Sequence, residues 1–368
     1  MPSAIPIRSI TRLTHMSEPR PITSAPERQT ATSAALDQWR GLALVLVLIS
    51  HGFYFTERTG GIGRAGVNLF FFISGVLVFR SLERSRAKSD LERTTKFWKR
   101  RLRRLWPALI AFVIVMFPVT WLLQHRPEIA FNQDVDHYLK SAPAVLGFVV
   151  NYIPKEVPQS LTHLWSVAVE MQFYLIAPII YWLGGRSNLR RHLVWGFVLL
   201  VMLALGVMAL KATDGRSKYY FQSAAWPMML GFCFEFRRDL FKQLPRNFAR
   251  FCAISGAVAI VGSIGLMLAR PDSKNLVILL ATGALVPCFI AYVHELDLPG
   301  PIGKLFAWIG MRTYSIYLWQ QPLTLSTYLT NHLHPVGAIL SILVGAIWFR
   351  FFERPFLGDA RKHDVKSV

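Results

Sequence analysis

Charge is scarce in this chain. Only 17% of its 368 residues are charged, where a soluble domain of that length carries about 25%. Cysteine is scarcer still: Cys233, Cys252 and Cys288 are the only three, and each lies in or beside an apolar run. No CxxC or comparable spacing joins them. That excludes a disulfide framework and a thiolate metal site, leaves three small buried hydrophobes, and gives no reason to expect a metal. Several signatures are missing as well. Without a Walker A run, nucleotide binding of the phosphate-loop kind is excluded. There is no G-x-S-x-G elbow and no HExxH. Residues 1–35 are rich in Pro, Ser, Thr and Arg and contain no apolar h-region, so they do not read as a cleavable signal peptide. Their composition is that of a disordered tail. Neither an internal repeat nor a second soluble domain is visible.

What is present is apolar length. Hydrophobic residues make up 53% of the chain and aromatics 13%, with 26 Phe and 11 Trp. Such rings suit lipid contact and interfacial belts. The apolar residues come in blocks of roughly 17 to 22, the length that crosses about 30 Å of hydrocarbon. Ten spans are expected, at 37–56, 66–82, 105–123, 162–183, 193–210, 219–236, 251–269, 276–293, 306–328 and 336–352. The fold expected is an all-α integral membrane protein of about ten transmembrane helices. Asp37 is placed to N-cap the first of them. The stretch 142–153 is too short to span and reads as interfacial or re-entrant.

The formal net charge of +20 would suit nucleic acid if it covered one surface. Here the basic residues sit in short segments between apolar blocks, so membrane topology accounts for them and no nucleic-acid partner is expected. An even number of spans puts both termini on one side, and that side then holds most of the 41 Lys and Arg. The stretch Arg80–Arg104 alone is densely basic, with only Glu83, Asp90 and Glu92 as acids. Cytoplasmic loops carry the excess of Lys and Arg, so both termini are expected in the cytoplasm and the chain in the inner membrane. The organisation expected is a tail over 1–35, a membrane domain over 36–355 and a cytoplasmic C-terminal tail over 356–368.

An ionisable group inside a span is costly and marks function by default. In LDQWRGLALVLVLISHGFYF, Arg40 lies at the inner end and His51 follows eleven residues, or about 16 Å, later. Histidine is the usual general base near neutral pH, while the plainer alternative is an imidazole bonded to a neighbouring helix carbonyl. In LTHLWSVAVEMQFYLIAP, Glu170 lies about 12 Å inside the outer end, where a carboxylate must pair or be protonated. His163 sits nearer the outer rim, where an interfacial role competes with a functional one. In GVNLFFFISGVLVF, a helix starting near Gly66 puts Ser74 about 12 Å deep, so His51, Ser74 and Glu170 are expected in one layer. A helical Ser also bonds back to its own backbone, and Ser-Gly pairs serve close packing. In KFWKRRLRRLWP, Arg101 and Arg104 share a helix face. Guanidinium forks bind phosphate oxygens, although topology signalling and anionic-lipid contact explain such a run too.

Taken in order, LDQWRG…ISH, GVNLFFFISG, FWKRRLRRLWP, HLWSVAVEMQFYLIAP and RTYSIYLWQQP resemble the membrane-bound acyltransferase 3 family, the O-acyltransferases of envelope polysaccharides. The likeness runs from about Leu36 to Pro355. It implies a ten-helix membrane domain, an acyl-CoA donor (acetyl-CoA in the simplest case) on the cytoplasmic side, and a hydroxyl acceptor on an envelope glycan or lipid-linked sugar. The family's Arg-x10-His pattern falls on Arg40 and His51, its FFxxSG on Phe70, Phe71, Ser74 and Gly75, and its RxxR on Arg101 and Arg104. Its HLWSLSVEEQFY pattern falls on His163, Trp165 and Glu170, with Met171 in place of a second Glu. Gln320 stands where family members have His, and Gln38 and Trp39 replace a small and an aliphatic residue. Family members often carry an added periplasmic domain; this sequence ends at Val368, so the membrane domain and outer loops are expected to bind the acceptor.

On that resemblance, Arg40, Arg101 and Arg104 hold the coenzyme A phosphates, and His51 takes the proton from the acceptor hydroxyl. Glu170 orients the imidazole, Ser74 assists at an oxyanion, and His163 and Trp165 contact the acceptor. The extended arm of coenzyme A, on the order of 15–20 Å, spans the depth from Arg40 to His51. The competing class is a transporter or flippase of an acyl or glycan species, which would also need buried charge; paired, Gly/Pro-broken repeats would mark it, and none is visible.

Overall fold

The structure is a computed structural model that describes residues 25–52, 60–85, 89–125, 134–153, 157–185, 187–211, 217–270, 273–324 and 336–357. All regular structure among them is helical. In chain order the helices are α1 (Ala25–Gly52), α2 (Gly60–Glu83), α3 (Asp90–Leu123), α4 (Val135–Leu146), α5 (Gln159–Thr162), α6 (Trp165–Gly184), α7 (Asn188–Lys211) and α8 (Phe221–Ala224). They continue as α9 (Trp226–Phe236), α10 (Arg238–Lys242), α11 (Arg246–Ala269), α12 (Lys274–Gly283), α13 (Leu285–Val293), α14 (Gly300–Met311), α15 (Thr313–Thr324) and α16 (Val336–Trp348).

Seven of the ten expected spans are helical stretches long and apolar enough to cross a membrane: Gly61–Glu83, Asp90–Leu123, Gln159–Gly184, Asn188–Ala209, Arg246–Met267, Leu276–Val293 and Val336–Phe356. The other three differ for visible reasons. The first carries Asp37 and Arg40 and is described only to Gly52, so its expected end at 53–56 lies outside the described residues. The sixth is broken at Ala225, leaving the 11-residue α9. The ninth is broken at Arg312 into α14 and α15, of 12 residues each. At the N-terminus, α1 starts at Ala25, inside the stretch read as a tail; residues 1–24 and 358–368 of the two expected tails lie outside the described residues.

Local chemistry sets several helix ends. Ser89 caps α3, its Oγ accepting from the Glu92 amide at 3.1 Å, and Asp90 and Glu92 sit in the first turn, where the helix dipole favours anions. Asp134 caps α4 in the same way. α6 stops at Gly185, which has φ 62°, a left-handed conformation that glycine adopts without a Cβ penalty.

Among the long helices α2 is the most enclosed, and α7 and α11 the least. Phe197, Leu200, Phe251, Ile254, Val258 and Val261 point outward from α7 and α11, a broad apolar face that suits lipid. α1 fits between α2 and α14 because their backbones touch: a Cβ on Gly310 would sit 1.7 Å from the Asp37 carbonyl oxygen. The Ser74–Gly75 pair serves the same purpose on the other side of α2, where a Cβ on Gly75 would meet the Met228 carbonyl oxygen at 1.9 Å.

Candidate active site

Polar groups inside the bundle fall into two tiers with a cavity between them. The inner tier is charged. Arg40 is buried on α1 and pairs loosely with Asp37 one turn earlier, Nη1 to Oδ1 at 3.4 Å. It lies within electrostatic range of Arg104, Glu170 and Glu353. Arg104 donates from Nε to Glu353 Oε1 at 3.2 Å, and the other oxygen of that fully buried carboxylate accepts from Ser315 Oγ at 2.8 Å. Arg101, on the same face of α3, has no carboxylate partner among the described residues. Its guanidinium lies over Tyr174, 4.7 Å from the ring centroid, and over Phe97 at 5.3 Å.

Glu170 closes this tier. Its Oε1 accepts from Ser74 Oγ at 2.7 Å and from the Tyr174 hydroxyl. The tyrosine therefore ties Arg101, through its ring, to Glu170, through its oxygen. Arg40, Arg104, Ser74 and Glu170 are thus brought together, with Arg101 against them, whereas the sequence had grouped Ser74 and Glu170 with His51. The proton of Ser74 is already engaged by the carboxylate, which leaves that hydroxyl no hydrogen to give an oxyanion in this arrangement.

The cavity, about 400 Å³ with its open solvent space included, lies among α1, α2, α6 and α15. Glu170, Ser166, Tyr314 and Tyr317 line it together with Ala43 and Val47 of α1 and Phe70 of α2. Glu170 is therefore level with the α1 residues that lie between Arg40 and His51.

The outer tier is built from imidazole and amide groups. His51 donates from Nδ1 to Gln320 Oε1 of α15 at 2.5 Å, since a carboxamide oxygen can only accept. His163 donates from Nε2 to the Leu318 carbonyl at 3.1 Å, two residues along the same helix. Among the described residues, the polar atoms buried here without a hydrogen-bond partner include His163 Nδ1, Gln320 Nε2, Trp319 Nε1 and Arg64 Nη1. Trp165 carries the Arg64 guanidinium over its ring, 5.1 Å from the centroid, and Tyr219 lies 4.8 Å away.

Two sequence expectations change. His51, Ser74 and Glu170 do not share one layer, and no hydrogen bond joins His51 to Glu170 among the described residues. The cause is the start of α2. It begins at Gly60 rather than near Gly66, and Gly63 is the residue that packs on Ser50, beside His51. Ser74 is eleven residues farther along, or about 16 Å inward. The second change follows from the first: the group that holds the His51 ring is Gln320, and Glu170 belongs to the charged tier. Sequence reasoning noted Gln320 only as a departure from a pattern. Glu353 and Arg64 escaped it because both lay just outside expected spans.

Residues 33–351 match the profile of a family described as "Acyltransferase domain". The chain is 28% identical to the peptidoglycan O-acetyltransferase OatA of Listeria monocytogenes, over 87% of this chain and 55% of that protein. It is 27% identical to the O-acetyltransferase OatA of Staphylococcus aureus, over 87% of this chain and 56% of that protein. The chain thus spans a little over half the length of these curated relatives. No solved structure is significantly similar to it.

Proposed function

The chain belongs to the acyltransferase domain family and crosses the membrane several times, and from that premise we propose that it moves an acetyl group from acetyl-CoA onto a hydroxyl of an envelope glycan, with His51 as general base. One observation carries the reading: a cavity lined by Glu170, Ser166 and the α1 residues Ala43 and Val47 lies between a buried cationic tier, at Arg40 and Arg104, and an imidazole with one nitrogen held and the other free of any hydrogen bond among the described residues. The relatives act on peptidoglycan or are O-acetyltransferases by name, which makes a peptidoglycan-type sugar the first acceptor to try.

The donor approaches from the cytoplasm, where the positive-inside rule puts both termini and the basic end of α3. Arg101, which lacks an acidic partner, takes phosphate oxygens of coenzyme A first; Arg40 and Arg104, already partly neutralised by Asp37 and Glu353, complete the positive field. The thioester arm lies along the cavity past Glu170 and Ser166. Glu170 balances the inner cations and, by accepting from Ser74 and Tyr174, fixes the wall the arm passes.

At the outer tier Gln320 holds Nδ1–H of His51, so the lone pair of Nε2 is the one that faces chemistry. Nε2 removes the proton as the acceptor oxygen attacks the thioester carbonyl carbon. The C–S bond then breaks, the ester C–O bond remains, and the imidazolium returns its proton to the departing thiolate. His163 offers Nδ1 to the acceptor, while Trp165 acts through the arginine it carries.

The test is transfer from radiolabelled acetyl-CoA in membranes holding the full chain. A donor-dependent ester on the glycan separates an acyltransferase from a transporter. His51→Ala is expected to lower turnover by about 10²–10⁴ fold with acetyl-CoA binding retained; a rate like that of the wild type would rule out the base.

A further inference from the structure

Arg64 enters the mechanism above only as the cation that Trp165 carries. It lies in the first turns of α2, near the positive end of the helix dipole, an unfavourable place for a guanidinium. Nη2 donates to the Lys218 carbonyl at 2.9 Å. The group is stacked over Trp165 at 5.1 Å. Nη1 is buried with no hydrogen-bond partner, and no carboxylate among the described residues pairs with Arg64. A partly buried guanidinium with one nitrogen enclosed and no carboxylate beside it among the described residues is costly, so a protein that props it in place from two sides keeps it for an anion that arrives.

Position says which anion. The neighbouring residue Gly63 packs on Ser50, which adjoins His51, and packed helix axes lie about 8–10 Å apart. Arg64 is therefore at the level of the base and about one or two sugar units from it. Lys218 adds a second cation nearby, over the Tyr219 ring at 5.1 Å, itself beside Trp165. We propose that Arg64 is the counter-ion for a carboxylate carried by the acceptor glycan, and that the preference for an acidic sugar is set there. The proposal rests on the acyl-transfer reading for the identity of the ligand, since it takes the outer tier as the acceptor side.

Binding tests it without turnover. The probes are the GlcNAc–MurNAc disaccharide with its lactyl carboxylate free and the same disaccharide as the methyl ester. Both are offered to the full-length protein in nanodiscs by equilibrium dialysis. The free acid is expected to bind tighter than the ester by about tenfold or more. R64Q is expected to erase that difference while acetyl-CoA binding stays as in the wild type, and R64K to restore part of it. Equal binding of acid and ester by the wild type, or no binding of either, overturns the proposal whatever the variants do. So does an R64Q that retains the preference or weakens acid and ester alike. Acid-selective binding without any acetyl transfer would leave the carboxylate site standing and discard the transfer reading; transfer to acid and ester with equal KM would do the reverse.

Discussion

Gln320 shows how much one side chain decides here. It is fully buried, its oxygen takes the His51 Nδ1 proton, and its amide nitrogen has no partner. Removing the acceptor frees the ring to turn and to change tautomer. Gln320→Leu is expected to lower kcat by about 10²–10⁴ fold, the scale at which losing an imidazole-orienting group acts elsewhere, with KM for acetyl-CoA unchanged. Gln320→Glu, which keeps an accepting oxygen, should recover most of that loss. Steady-state kinetics on both variants decide it; equal damage by the two would show that the site tolerates only the native amide shape. At this scale the sequence was readable wherever a polar residue interrupted an apolar run. Arg40, His51, Ser74 and Glu170 all stood out so, and Ser74 and Glu170 do meet. Gln320 carried the same signal, but an uncharged amide is cheaper to bury and drew less notice. Glu353, with no solvent exposure, was invisible for another reason: it lies one residue past the expected end of the last span, so its burial could not be counted from the sequence.

Helix contacts, rather than side-chain chemistry, hold α1 in register. Its carbonyls at Ala43 and Asp37 face Gly66 of α2 and Gly310 of α14 at distances that leave no room for a methyl group. Gly310→Ala should therefore force α14 away from Asp37 and cost about 1–3 kcal/mol. Gly262→Ala, on α11 with nothing within 4 Å of its added carbon, should be neutral or stabilising by about 1 kcal/mol from helix propensity alone. Thermal unfolding of both variants in the same detergent checks the contrast, and a Gly310→Ala that melts with the wild type would remove close packing as the reason for the glycine. Helix type was readable from the apolar blocks, and seven of the ten expected spans are helices long and apolar enough to cross a membrane. The interruptions were not. The breaks at Ala225 and Ala284 are each followed within three residues by a proline, Pro227 and Pro287, and the break at Arg312 by the more polar stretch of α15, local signals that a count of apolar blocks passes over. The start of α2 was misplaced because GGIGRAG reads as a loop, yet those glycines are what lets α2 lie against α1.

For the whole molecule the open geometric question is which face is which. Counting Lys and Arg puts Arg84 on the cytoplasmic side and Lys140 on the opposite one. In a background lacking Cys233, Cys252 and Cys288, Lys140→Cys should react with a membrane-impermeant maleimide in intact cells, and Arg84→Cys only after the cells are opened. The reversed pattern would invert the orientation and with it the sidedness of donor and acceptor. Of the molecule as a whole, the sequence yielded the family likeness and most of the spans, because lipid imposes a strict length and polarity rule. The two tiers were not readable, since depth along one helix cannot be compared with depth along another until their starts are known.

α3 ties these faces together. Its 34 residues make a helix about 51 Å long, some 20 Å more than the hydrocarbon needs. The surplus bears Arg100, Arg101 and Arg103, while Phe112 farther along presses its ring edgewise on His163 and Trp319. One helix thus carries the arginine cluster near its N-terminal end and, farther along, an aromatic that packs on His163 and Trp319. On the proposed mechanism, a donor held at that basic end sits on the same helix that seats the His163 ring.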